Sequence, residues 1–162
     1  MVTTSLIFPE ALRHELIAHA REGDPYEVCG ILAGHENSIE RVRRVRNTAD
    51  EVGVERGVFR DRQTDVATPG RRAVHYFMDP LDQLRAHDEM EDAGLDVVGY
   101  YHSHTHTEAR PSPTDVRLAR DLAVYWVLVS LEDAQNPSVR AWRISKADPM
   151  DETGDVTEVA LA

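Results

Sequence analysis

The feature that most constrains this chain is the stretch 101–115, where Tyr101-His102-Ser103-His104-Thr105 is followed by Pro111-Ser112-Pro113-Thr114-Asp115. Ahead of it, Asp96-Val97-Val98-Gly99-Tyr100-Tyr101 is rich in β-forming residues and predicts a strand with His102 at its carboxyl end. Side chains alternate along a strand, so His102 and His104 point to one side and Ser103 to the other. Pro113 suits the first position of a helix and Ser112 its N-cap, which puts Asp115 in the first turn, facing back towards the strand end. A chain built this way must bring a strand end and a helix start together, with two imidazoles and a carboxylate between them.

Taken alone, Ser-x-x-Asp before a helical run is a capping box with no chemistry, and a lone histidine is an ordinary surface or core residue. The combination His-x-His-x7-Ser-x2-Asp is different, because it supplies three metal ligands. Moving the pattern by two residues, to His104 and His106, puts Thr114 at the serine position and Arg117 at the aspartate position. A cation repels arginine, so that register fails. His106 is then a neighbour of the site, either lining a substrate groove or a bystander. Three ligands of His, His and Asp type, with the fourth position open to water, are the pattern of a catalytic rather than a structural zinc site.

His102-Ser103-His104, Ser112 and Asp115 at these spacings resemble the JAMM signature of the MPN+ metalloproteases, which remove ubiquitin-like proteins or cleave at their C-terminal tails. The longer string, with Thr107-Glu108-Ala109 and Thr114-Asp115-Val116, is most similar to the small bacterial Mec-like branch. Members of that branch hydrolyse a cysteine from the C-terminus of a β-grasp sulfur-carrier protein. Many JAMM proteins carry proline after the second histidine, where this chain has Thr105. No ligand changes, and the departure favours the Mec-like branch. The resemblance spans roughly residues 8–144, its specific part being two short motifs. It implies an α/β fold of the MPN type (JAMM, cytidine-deaminase-like), a mixed curved sheet flanked by helices with zinc at one edge.

The second motif is Glu27-Val28-Cys29-Gly30-Ile31-Leu32-Ala33-Gly34. On its own, a glutamate at the mouth of a buried strand is a solvated group or a cap for the preceding loop. The resemblance makes Glu27 the general base. Zinc lowers the pKa of bound water to about 7, and a nearby carboxylate can take the proton and later deliver it to the leaving amine. Ser112 then has two readings, N-cap or hydrogen-bond donor to the oxyanion. Cys29 reads as a small buried residue rather than a nucleophile, since no His-plus-Asn pattern points at it.

The activity implied is zinc-dependent hydrolysis of the amide bond after the C-terminal Gly-Gly of a β-grasp carrier, releasing cysteine for cysteine biosynthesis. One alternative is an isopeptidase removing a ubiquitin-like modifier from target lysines. Another, of a different class, is a non-catalytic MPN scaffold, and here every ligand position is filled.

The 162 residues suit one domain over 1–162. A net charge of -11 argues against nucleic-acid binding, which needs a basic patch. No apolar run approaches the roughly 20 residues of a membrane span. One cysteine and no signal-like N-terminus lead to the expectation of a cytoplasmic protein. Relatives in the family the motifs resemble are often dimers, so a homodimer is one expected assembly.

Periodicity predicts an edge strand within 1–8, a helix over 9–20 with His14 and His19 on its solvated face, a loop running into a short buried strand within 26–34, and a strand over 38–46 followed by a turn at Asn47-Thr48-Ala49. A charged, turn-rich insertion follows at about 50–72. A strand is expected over 73–78 and a helix over 80–93, apolar at Leu81, Leu84 and Met90 and stopped by Gly94, with His75 and His87 outside the site. A third helix, apolar at Val116, Leu118, Ala119 and Leu122, ends near Asp121. A central strand over 124–130, a half-exposed strand over 138–144 and an edge strand over 156–161 complete the chain.

Overall fold

The computed structural model describes residues 4–50 and 75–162. Beyond Asp50, the insertion expected at 50–72 lies outside the described residues, as do the first two residues of the strand expected over 73–78. The described elements are α1 (Glu10–Gly23), β1 (Cys29–His35), β2 (Ser38–Val45), α2 (Pro80–Asp92), β3 (Asp96–His104), α3 (Pro113–Leu118), β4 (Tyr125–Ser130), β5 (Ser138–Ser145) and β6 (Asp155–Val159).

The architecture is mixed α/β. One sheet runs in the order β2-β1-β3-β4-β5-β6, antiparallel throughout except for the parallel pair β3–β4. A parallel pair needs a crossover connection, and α3 lies in it. The chain therefore leaves the carboxyl end of β3 into a long excursion, the kind of place where open α/β sheets hold their ligands.

Both faces of the sheet are covered, which is why β1 and β4 are nearly continuous apolar runs. On one face Leu32, Tyr101, Val127 and Val129 pack with Leu16 and Ala20 of α1 and with Leu6 and Phe8. On the other, Cys29, Ile31 and Val45 pack with Ala86 of α2 and with Tyr76, Met78 and Tyr100. Gly30 lies where a β-carbon would collide with the Tyr101 ring and the Arg43 carbonyl, so only glycine lets the three strands close there. Gly94, at φ 72°, ends α2 with its N–H on the Glu91 carbonyl at 2.9 Å.

Instead of an edge strand, residues 6–8 form a strip that ties the outer strands together. Ile7 exchanges hydrogen bonds with Asn37 and Ile39 beside β2, while Leu6 and Phe8 bond Ala160 and Ala162 beyond β6.

Four further expectations are corrected. The described part of 73–78 is not a strand; it touches the sheet region through one bridge, Asn47 to Met78. α3 ends at Leu118, because Ala119 adopts an extended ψ of 118° and the Lys146 ammonium donates to the Arg117 and Ala119 carbonyls. Leu81 and Leu84 are exposed, and α2 docks through Ala86, Met90 and a fork of Arg43 onto Asp82 and Glu89. His19 is not on a solvated face. Its Nδ1 lies 2.7 Å from the Tyr101 hydroxyl, and burial, with Arg44 nearby, lowers its pKa to about 4.

Candidate metal centre

β3 carries His102 and His104 to its carboxyl end on one face, both buried. The site thus sits at the end of the third of six strands, in the body of the sheet rather than at its edge. α3 opens with a full capping box. The Ser112 Oγ accepts from the Asp115 N–H at 3.1 Å, and Asp115 Oδ2 accepts from the Ser112 N–H at 2.8 Å. That reciprocal pair aims Asp115 Oδ2 at the histidines, 3.0 Å from His102 Nε2 and 3.2 Å from His104 Nε2, with the two Nε2 atoms 3.2 Å apart.

Three donor atoms so close, with no proton to share among them all, are a poor hydrogen-bond network and a good coordination triangle. Ligands of a tetrahedral zinc at ~2.0–2.1 Å would stand roughly 3.3 Å from one another. His104 Nδ1 donates to the Glu108 carbonyl at 2.8 Å, which leaves the Nε2 lone pair facing inward, the orientation a metal-binding imidazole needs. The Glu108 loop is itself pinned: Trp142 Nε1 donates to Ala109 O at 2.8 Å and Ser130 Oγ to Thr107 O at 2.5 Å. Burial disfavours charge on Asp115, yet the two imidazoles beside it hold its carboxyl well below the usual range. Burial likewise keeps His102 neutral. Against its burial, His104 is raised by the hydrogen bond and charge of Asp115, so a divalent cation, which requires a carboxylate and two neutral imidazoles, displaces any proton held there.

Glu27 comes to the same place. Cys29 pairs with His102 across β1 and β3, and the Ser103 N–H donates to the Val28 carbonyl at 3.0 Å, so the register continued by two residues sets Glu27 opposite His104 on the same face. The residue is 6% exposed. Burial raises its pKa to about 8, with His104 opposing and the Asp115 charge adding to the rise. A carboxyl tuned near neutrality beside a candidate metal can both take and return a proton. Cys29, fully buried opposite His102, donates to the Val45 carbonyl at 3.4 Å, and burial pushes its thiol far above the range of a nucleophile. His106 is exposed and stands outside the His102, His104 and Asp115 group.

Three residues that motif reasoning misses complete the surroundings. Ser103 Oγ accepts from the Val28 N–H at 2.9 Å, stitching the start of β1 to the ligand strand. Tyr76 stacks on His102 with ring centroids 4.2 Å apart at 22°. Asn47 bonds the backbones of Glu27, His75 and Phe77. A cleft of about 450 Å³ opens beside Asp115, walled by Tyr76, Phe77, Tyr100, Leu118 and Trp126.

Comparison with known proteins places this arrangement. Residues 9–145 match the family described as prokaryotic homologs of the JAB domain. The CysO-cysteine peptidase of Mycobacterium tuberculosis is 35% identical over 153 residues, covering 94% of this chain and 92% of its own length. The desampylase of Pyrococcus furiosus is 30% identical over 82% of this chain and 76% of its length. A JAB1/MPN domain protein from Archaeoglobus fulgidus shares the fold at a TM-score of 0.56 and 15% identity, covering 98% of this chain and 99% of that one. The chain belongs to the JAB/MPN family, in its prokaryotic branch.

Proposed function

We propose that this protein is a zinc-dependent peptidase that hydrolyses the amide bond after the C-terminal Gly-Gly of a ubiquitin-like β-grasp sulfur carrier and releases cysteine. The observation that carries the peptidase reading is the placement of the Glu27 carboxyl opposite His104, within the field of Asp115. The cysteine-releasing reading is supported by the Mycobacterium tuberculosis relative, matched over nearly the whole of both chains.

His102, His104 and Asp115 hold the ion. Bound there, zinc supplies a Lewis acid that polarises water and the scissile carbonyl. Glu27 takes the proton from the attacking water and returns it to the departing amine. Ser112 serves both of its readings at once: a hydroxyl oxygen that accepts the Asp115 N–H still has its own O–H to donate to the developing oxyanion. The cleft beside Asp115 receives substrate.

A second reading, removal of a ubiquitin-like modifier from lysines, is favoured by the Pyrococcus furiosus relative named a desampylase. The scaffold reading is disfavoured by a complete ligand set. One experiment separates the three. Purified protein, its metal content measured, is offered a carrier–cysteine adduct and a carrier–lysine conjugate, and the products are read by mass spectrometry. Release of cysteine with little cleavage of the lysine conjugate is expected. The reverse preference selects the isopeptidase, and zinc-free protein inert on both selects the scaffold. Glu27→Gln is expected to keep zinc and lose turnover.

A further inference from the structure

Glu27 lies just outside β1, where the regular ladder of the sheet has ended. Its backbone needs another anchor, and the carbonyl finds one in a side chain: Asn47 Nδ2 donates to it at 2.8 Å. The same amide nitrogen donates to the His75 carbonyl at 3.1 Å. Asn47 Oδ1 accepts from the Phe77 N–H and from the Ala49 N–H, each at 3.0 Å. Both amide protons and both oxygen lone pairs of one side chain are therefore used, every one on backbone.

The two segments so joined carry the two groups that frame the ligands. Glu27 is one, and Tyr76, stacked on His102 between the bonded residues 75 and 77, is the other. Backbone bonds from Thr48 N–H to Phe77 O and from Asp79 N–H to Arg46 O hold the 77–79 strip to the 46–48 strip without help from the Asn47 side chain. Among the described residues, what the side chain adds to these backbone bonds and to the Cys29–Val45 pairing is a direct hydrogen bond to the Glu27 carbonyl and one to that of His75. Only the bond from Ala49, two residues on, is turn chemistry; the bonds to Glu27, His75 and Phe77 are not, since a turn asparagine at the surface would leave its donors to water.

We propose that Asn47 is a positioning residue for the hydrolysis: its donated hydrogen bond fixes the backbone of Glu27 and thereby the reach of the carboxyl to the attacking water. This rests on the peptidase reading above. A general base misplaced by a fraction of an ångström to an ångström loses rate while substrate and metal still bind.

Asn47→Asp and Asn47→Ala test it in the zinc-loaded full chain on the carrier–cysteine adduct. Asp keeps the acceptor for Phe77 and Ala49 but cannot donate to Glu27, so amide exchange at 49 and 77 stays slow while kcat falls tenfold or more. Ala loses both, with fast exchange at 49 and 77 and a similar fall in kcat. In both, KM stays within threefold and zinc content is unchanged, because Asn47 touches no ligand. Under single turnover, Asn47→Asp adds little to Glu27→Gln, since it acts through the group already removed. Wild-type kcat in Asn47→Asp, a full multiplicative loss on the Glu27→Gln background, or loss of zinc in step with kcat would each overturn the assignment. Wild-type protein that cleaves no conjugate overturns the peptidase reading, and this role with it; an active wild type with an equally active Asn47→Asp overturns the role alone.

Discussion

A buried base costs the fold stability, and Glu27 lets that cost be measured. Its carboxyl ordinarily titrates at 4.5 and is lifted to about 8 by burial. Between those values the folded, metal-free chain keeps a proton that the unfolded chain has released. Stability therefore falls as pH rises from about 4.5 to about 8 and levels off beyond. Glu27→Gln has no such proton to lose. Thermal melts of metal-free protein at pH 5 and pH 8 are expected to show the wild type losing several degrees more than the variant, a difference on the order of 1–3 kcal/mol. Added zinc narrows the difference, because a nearby cation draws the carboxyl back down. Equal slopes in the two proteins would place Glu27 in solvent. Ser112 is tested the same way. Ser112→Gly costs only a few tenths of a kcal/mol as an N-cap, but without its O–H kcat should fall by roughly 10²–10³. Full activity in that variant reduces Ser112 to a cap. The candidate ligands are readable in the chain because they are local: a strand alternation and a helix first turn suffice to aim His102, His104 and Asp115 at one another, whereas Glu27 reaches them only through the pairing of β1 with β3. Asn47 and Tyr76 are not readable, since their partners lie 20 or more residues away and a polar residue after a strand looks like any turn.

At the scale of elements, the six-residue helix α3 is too short to be stable by itself, so its ends decide whether Asp115 stays in place. Its start is held by the capping box. Its finish is held by Lys146, the chain's one lysine, whose ammonium donates to Arg117 O at 3.3 Å, Ala119 O at 2.8 Å and Asp151 O at 3.1 Å. Lys146→Met removes a cation from a helix C-terminus, an effect of about 1 kcal/mol or less, and so is expected to weaken zinc binding by up to roughly fivefold. Competition with a chelator checks it; unchanged affinity means α3 is held by packing alone. The end of this helix shows why periodicity misjudges boundaries. Leu122 continues the apolar spacing because the extended chain after Leu118 still packs under Val116 and Ile144. α2 errs in the opposite sense. Leu81 and Leu84 face solvent, while Met90, as expected, is buried and docks the helix together with Ala86 and an arginine fork. The two leucines suggest a face that only Met90 shares with the core, and the charge partner on β2 is invisible until the strands are placed. Of the strands, β1 and β4 are readable because two covered faces leave runs of β-forming residues with little polar interruption, and β2 and β5 by alternation, while the β-forming run at 73–78 shows that such a run alone can mislead.

For the molecule as a whole, the open question of any sheet is what protects its outer strands, since unpaired N–H and C=O groups invite another chain. Here one strip does part of that work for both sides: Ile7 on β2, Leu6 and Phe8 on the segment after β6. Phe8, fully buried, anchors the strip in the core beneath α1. Phe8→Ala should cost about 3–5 kcal/mol. Because the lost packing is what seats the strip, the variant is also expected to expose both edges and associate with itself. The net charge of -11 opposes that association at low ionic strength. In 0.15 M salt, where the screening length is about 8 Å, the opposition fades and edge pairing proceeds. Light scattering on wild type and variant across a salt series separates the two effects. Growth in size with salt in Phe8→Ala alone is the expected result. A variant that keeps the wild-type size at every salt, while melting several degrees lower, would mean that the strip contributes packing only and that the edges are guarded by their own charged residues, Arg41 and Glu40 on β2 and Glu158 on β6.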